Sequence, residues 1–243
     1  MLEVISVSKY FGGLGALKDI SLKINKGDFW GLIGPNGSGK TTLFNILSGV
    51  LMPSSGRLTL MGQDLTGLTP DKICRLGLSR TFQVPRPFKS LNVIENITTA
   101  ILFGSSPTSS SREYVEEVKK EALKYLKFVN LEVAEETMPG ELGLPGLRRL
   151  EIARALATRP KILLLDEVLS GLNQEELIEA SSILKRIHDE MGMTIIWVEH
   201  IMSALMSIVK RVIVLNNGIV IAEGSPSEAS NDKGVIEAYL GKE

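Results

Sequence analysis

The chain has 243 residues, a formal net charge of −1 and one cysteine, Cys74. A single cysteine excludes a disulfide framework and a multi-cysteine zinc site, and two histidines, His188 and His200, leave little for a histidine metal cage. Near-neutral charge speaks against nucleic-acid binding, which needs a basic face, and no run of about 18 apolar residues is present to span a bilayer.

The N-terminal segment MLEVISVSKY has no apolar region of the kind a signal peptide carries, so the expected compartment is the cytoplasm. LEVISVS and DISLKI alternate with period two and read as strands, with turns at FGG and NKGD. FWGLIG, residues 29–34, is a nearly continuous apolar run, as in a strand buried on both faces. A glycine-rich loop follows, then TTLFNILSG, a helix closed by Gly49. RLTLMGQDL reads as a strand and turn.

From about residue 70 the texture changes. TPDKICRLG, NVIENITTAILFG and SREYVEEVKKEALKYLKFVNL read as helices, the last with a capping box, Ser110 with Glu113. The serine-rich stretch SSPTSSS between the last two reads as a surface connector. From residue 161 strands and helices alternate again: KILLLDE, then QEELIEASSILKRIHDEMG, then MTIIWVEH, then IMSALMSIV. RVIVLNNGIVIAEG reads as a hairpin turning at Asn217-Gly218. This alternation predicts an α/β fold around a parallel, helix-covered sheet. A single domain of residues 1–243 is expected, with residues 1–84 and 158–243 as core and 85–157 as an inserted helical subdomain.

Gly34-Pro35-Asn36-Gly37-Ser38-Gly39-Lys40-Thr41 fits G-x-x-x-x-G-K-[ST] without a mismatch, between an apolar strand and a helix. Glycine backbones aim several N–H groups at phosphate oxygens, and the helix N-terminus adds partial positive charge. Lys40 is expected to reach the β- and γ-phosphates, Thr41 to hold Mg²⁺, and Thr42 to extend the cradle. Ile162-Leu163-Leu164-Leu165-Asp166-Glu167 reads as a buried strand ending in two carboxylates, where ligands bind in open α/β sheets. Asp166 is expected to hold Mg²⁺ through water and Glu167 to accept a proton from the attacking water. His200, just after a strand, can contact a γ-phosphate or orient water, whereas His188, in a polar helix, reads as surface.

With these motifs in this order, the chain resembles the ATP-binding subunits of ABC transporters over essentially its whole length. The resemblance implies the P-loop NTPase fold of that family, with an N-terminal antiparallel β subdomain and an inserted α-helical subdomain. It also implies roles for further residues. Gln83 in RTFQ matches the Q-loop glutamine, which contacts Mg²⁺ and γ-phosphate. RRLEIARAL matches the helix after the signature motif, and Ser170-Gly171-Leu172-Asn173 matches the D-loop. His200 matches the switch histidine, and Phe11, beside Tyr10, matches the aromatic that stacks on adenine. Within the family, FGGLGALKD, RTFQ, LEIARALATRPK, SGLN and NNGIVIAEG are most similar to branched-chain amino acid importers, with urea and lipopolysaccharide transport ATPases as relatives.

The implied cofactors are ATP and Mg²⁺. The implied partners are integral membrane permease subunits, a second ATPase subunit and, indirectly, a solute-binding protein, with no nucleic acid. The implied location is the inner face of the cell membrane, bound peripherally. Docking is expected near Gln83, around Pro85, Pro87, Phe88 and the helix from Asn92.

The sequence departs from the family pattern in the signature loop. Leu142-Gly143-Leu144-Pro145-Gly146 stands where L-S-G-G-Q is usual, so the serine hydroxyl and one backbone N–H are missing. Three readings follow: pairing with a different, intact ATPase subunit, a slow homodimer, or an impaired or non-transport ATP-binding protein. Val168 and Gln174 replace prolines, which are restraints of shape, so small effects are expected.

Overall fold

The computed structural model describes residues 1–104 and 112–240. The serine-rich segment and Ser110 of the expected capping pair lie outside them. Among the described residues, ten strands form two sheets. β1 (Leu2–Phe11), β2 (Leu14–Ile24), β4 (Ser55–Leu60) and the short β5 (Gln63–Asp64) make an antiparallel sheet in the order β2-β1-β4-β5. β1 and β2 are paired from Leu2↔Ile24 to Phe11↔Leu14, which puts Phe11 at the tip of a hairpin.

The second sheet runs β10-β9-β3-β8-β7-β6. Its members are β3 (Phe29–Ile33), β6 (Leu78–Arg80), β7 (Ile162–Asp166), β8 (Thr194–Val198), β9 (Arg211–Asn216) and β10 (Ile219–Gly224). Five are parallel; β10 returns antiparallel to β9 through the turn at Asn217-Gly218. β6 departs from the sequence reading, which gave these residues no strand. Three residues between a helix and a loop are too few to show a period, and parallel pairing of Arg80 with Leu164 makes them a strand.

Alternation within the buried strands explains their unbroken apolar sequence. Ile162 and Leu164 face a core shared with the antiparallel sheet and α1 (Lys40–Leu47), where Phe44 and Leu47 pack. Leu163 and Leu165 face the opposite core, filled by Phe29, Trp197 and the helices. α3 (Val93–Gly104), α4 (Arg112–Phe128) and α5 (Leu144–Ala157) join this second core through Ile97, Ala122 and Leu156. α6 (Gln174–Met191) contributes Ile183, Leu184 and Ile187. α2 (Pro70–Leu76) precedes β6, α7 (Met202–Ile208) follows β8, and α8 (Pro226–Asn231) and α9 (Lys233–Leu240) end the described chain.

His188 corrects the surface reading. It is only 9% exposed, its Nδ1 lies 3.0 Å from the Met193 carbonyl, and its ring packs on Phe29. The polar neighbours of His188 along α6 hid the fact that its own position faces the sheet.

Candidate functional site

The site lies at the carboxyl ends of β3, β6, β7 and β8, brought level by the register Arg80↔Leu164 and Asp166↔Val198. The loop after β3 is built by its glycines. Gly34 has φ +149°, and a Cβ there would lie 2.1 Å from the Leu215 carbonyl oxygen. Gly39 caps α1 with φ +110° and sits against Ala16 and Leu17 at the start of β2, so any side chain would collide.

Lys40 is buried and donates from Nζ to the carbonyls of Gly34 (2.7 Å) and Pro35 (3.0 Å). Burial holds its ammonium below the usual lysine range, opposed by the negative charge of Glu167. The first-turn N–H groups of α1, including those of Thr41 and Thr42, have no carbonyl within the helix to accept them. Ser38 Oγ is buried and unpaired. A cradle with an unpaired buried hydroxyl, free N–H groups and one cation fits a polyphosphate.

Asp166 ends β7, and its backbone N–H donates to Thr81 Oγ1 at 3.1 Å. Its Oδ2 accepts from Arg80 Nη2 at 2.6 Å, with both side chains nearly enclosed. Arg80 also donates to Asn45 Oδ1 and Ser48 Oγ and lies between the rings of Phe44 and Phe82. One guanidinium therefore fastens α1 to the tip of β7. In the sequence Arg80 is only a letter of RTFQ, because its partners lie 35 and 86 residues away.

Glu167 has φ +49°, a strained region for a residue with a side chain. Its carboxylate Oε2 accepts from Gln83 Nε2 at 2.6 Å, and its Oε1 lies 2.8 Å from His200 Nε2. Three expected site residues from three loops thus share one hydrogen-bonded cluster, with Lys40 close enough to feel the charge. Beside them is a residue that sequence reasoning missed. Glu199 is 1% exposed and accepts from the N–H groups of Leu169 and His200, joining the loops after β7 and β8. Burial raises its pKa against these hydrogen bonds.

Phe11 stands apart from that cluster. It is 48% exposed at the hairpin tip, with Lys9 Nζ 5.2 Å from its ring centroid. Its hairpin reaches the phosphate loop through Ala16 against Gly39. At the other side of the loop, the Tyr239 hydroxyl of α9 meets the backbone of Gly34. The loop Leu142–Gly143 leads into α5, with Gly143 as its N-cap and Pro145 in the first turn. The N-cap is where a serine hydroxyl would sit, and glycine leaves it empty of any side-chain acceptor.

A core with a phosphate loop at one strand tip, a carboxylate at another, and a glutamine held on that carboxylate from beneath a helical layer describes a P-loop ATPase of the ABC type. The "ABC transporter" family model matches residues 17–170, and the chain belongs to this family as an ATP-binding ATPase subunit. A second model, "Branched-chain amino acid ATP-binding cassette transporter", matches residues 220–243. Among curated proteins, the chain is 38% identical to the high-affinity branched-chain amino acid transport ATP-binding protein BraF of Pseudomonas aeruginosa, covering 100% of this chain and 98% of that one. It is 37% identical to LivG of Escherichia coli, a protein of the same description, with the same coverage.

Among solved structures, it is similar to a nucleotide-free ATP-binding cassette from an ABC transporter (TM-score 0.86, 31% identity, 100% and 99% of the two chains). It is also similar to a dimeric cassette in a post-hydrolysis state bound to ADP and phosphate (TM-score 0.82, 29% identity, 93% and 99%). The phosphate loop, the Asp166–Glu167 strand and Gln83 all fall inside the matched span 17–170, and His200 follows it. No helix among the described residues is long and apolar enough to cross a membrane.

Proposed function

We propose that this chain energises the import of branched-chain amino acids, docked on integral membrane permeases at the inner face of the cell membrane and paired with a second ATPase subunit. The observation that carries the solute class is the full-length similarity to BraF and LivG, together with the match of the C-terminal residues 220–243. A solute-binding protein would deliver the amino acid to the permeases.

In this reading the phosphate loop from Gly34 to Thr42 holds the triphosphate of ATP, with Lys40 released from its loop carbonyls to the β- and γ-phosphates. Phe11 stacks on adenine. Thr41, Gln83 and Asp166 would hold Mg²⁺, which would supply positive charge against the phosphates. Glu167 accepts the proton of the attacking water at its carboxylate. Gln83 and His200 orient that carboxylate and sense the γ-phosphate. The chemistry is carried by positioning and charge, and closure of the ATPase pair moves the permeases.

Permease docking is assigned to the groove between the sheet and the helical layer, a cavity of about 390 Å³ lined by Phe82, the residue before Gln83. Phe82, Phe88 and Phe103 expose rings there, and Arg154 crosses the Phe88 ring. Apolar side chains around a concave surface suit an inserted helix end.

The test is uptake of labelled leucine by cells lacking the gene, complemented with the parent chain or with Lys40→Ala. The parent is expected to restore uptake and the variant to fail. Restoration of urea uptake, or of no solute uptake at all, would overturn the proposed substrate class.

A further inference from the structure

α5 begins in the loop at the signature position and carries two buried charged side chains turned toward the chain at Gln83. Arg148 is 5% exposed. It donates from Nη1 to the carbonyl oxygens of Gln83 (2.7 Å) and Phe82 (3.3 Å), and from Nη2 to that of Ser170 (3.2 Å). Glu151, three residues on and on the same helix face, is 7% exposed, and its Oε1 accepts the Phe82 N–H at 2.7 Å. The N–H of Phe82 and the carbonyls of Phe82 and Gln83 are therefore all held from one helix.

The expense of this arrangement argues for a specific task. Burying a charged side chain is costly unless it is well paired. Glu151 leaves Oε2 buried without a partner, and Arg148 leaves Nε so. An apolar residue at either position would fill the space without that cost. What an apolar residue would lose is the grip on the backbone next to the Gln83 carboxamide, which lies 2.6 Å from Glu167.

We propose that Arg148 and Glu151 are positioning residues that clamp the Phe82–Gln83 backbone, setting the Gln83 carboxamide on Glu167. The clamp makes α5 a rigid link between the loop at Gly143, the glutamine of the hydrolytic site and the loop at Ser170. A displacement of the docking groove or of the signature-position loop is thereby passed to Gln83 through one helix. The inference rests on the reading of Gln83 as part of the hydrolytic site.

The test is a double-mutant cycle on steady-state MgATP hydrolysis by the full-length chain, with hydrogen exchange at the Phe82 amide as a second readout. Arg148→Ala is expected to lower kcat about tenfold and leave KM for MgATP within about twofold, since the phosphate loop is untouched. In a Gln83→Ala background the same substitution is expected to cost nothing further. Losses that multiply would overturn the clamp. Glu151→Gln keeps an acceptor oxygen and is expected to preserve Phe82 protection. Glu151→Leu is expected to speed Phe82 exchange about tenfold or more relative to the amides of β7, which track global stability. Unchanged Phe82 exchange in Glu151→Leu would overturn the clamp whatever the hydrolysis data. A Gln83→Ala chain that hydrolyses ATP at the parent rate would instead overturn the reading of Gln83, and the exchange result would still judge the clamp.

Discussion

Gln83 Nε2 donates a 2.6 Å hydrogen bond to Oε2 of Glu167, across 84 residues of sequence. The other carboxylate oxygen of Glu167 lies 2.8 Å from His200 Nε2, so Glu167 is oriented from both sides. Glu167→Gln keeps the shape of the side chain and removes the carboxylate proposed as the base. Hydrolysis is expected to fall about 10²–10⁴-fold while MgATP binding persists. Turnover within about twofold of the parent would rule out Glu167 as the base.

Lys40 is the cation of the phosphate loop, and its Nζ is parked on two loop carbonyls. Lys40→Ala is expected to weaken MgATP binding by about 10–100-fold, the worth of one hydrogen bond to a charged group. Titration calorimetry of parent and variant checks this.

Arg80 and Asp166 form an ion pair with both side chains nearly enclosed. Arg80→Met would leave the Asp166 carboxylate buried without its cation, at a cost of about 3–5 kcal/mol. Urea unfolding should show that loss, and Asp166→Asn in the same chain should recover part of it. Equal stability of Arg80→Met and the parent would show that the pair contributes little.

Burial pushes the Glu151 carboxyl from 4.5 up to about 7, against the pull of the Phe82 N–H and the charges of Arg148 and Arg154, with Asp166 adding to the rise. The folded state therefore binds a proton more tightly than the unfolded chain does. Stability from this group is complete below about pH 4.5 and is lost as pH rises through about 7. The loss is about 3 kcal/mol for a shift of this size. Glu151→Gln removes the titration, so the melting temperature of the parent relative to the variant is expected to fall between pH 5 and pH 8. A constant difference would contradict it.

Gly143 caps α5 without a side-chain acceptor. Gly143→Ser is expected to change stability by only a few tenths of a kcal/mol. Its effect on hydrolysis is expected to be larger, a rise of about 10–100-fold, if the hydroxyl reaches the γ-phosphate held by a paired subunit. Rates of parent and variant, alone and with an intact partner ATPase, separate a functional loop departure from a silent one.

The local motifs and the class of fold were legible in the sequence because each is written over neighbouring residues. Eight consecutive residues from Gly34 to Thr41 specify a phosphate loop, and apolar Ile162–Leu165 before Asp166-Glu167 specifies a buried strand with carboxylates at its tip. Glycines at positive φ and the alternation of strands need no distant partner to be recognised. What the tertiary structure decided are the relations between loops far apart in the chain. β6 became a strand only by pairing with β7, and His188 was buried only because its side of α6 meets the sheet at Phe29. Arg80 became the cation of Asp166, and Arg148 and Glu151 became the hold on Phe82 and Gln83, through partners 65 to 86 residues away. A one-dimensional pattern carries period and spacing. It carries neither the register of parallel strands nor the face of a helix that meets another loop, and those two quantities place the charged groups of this site.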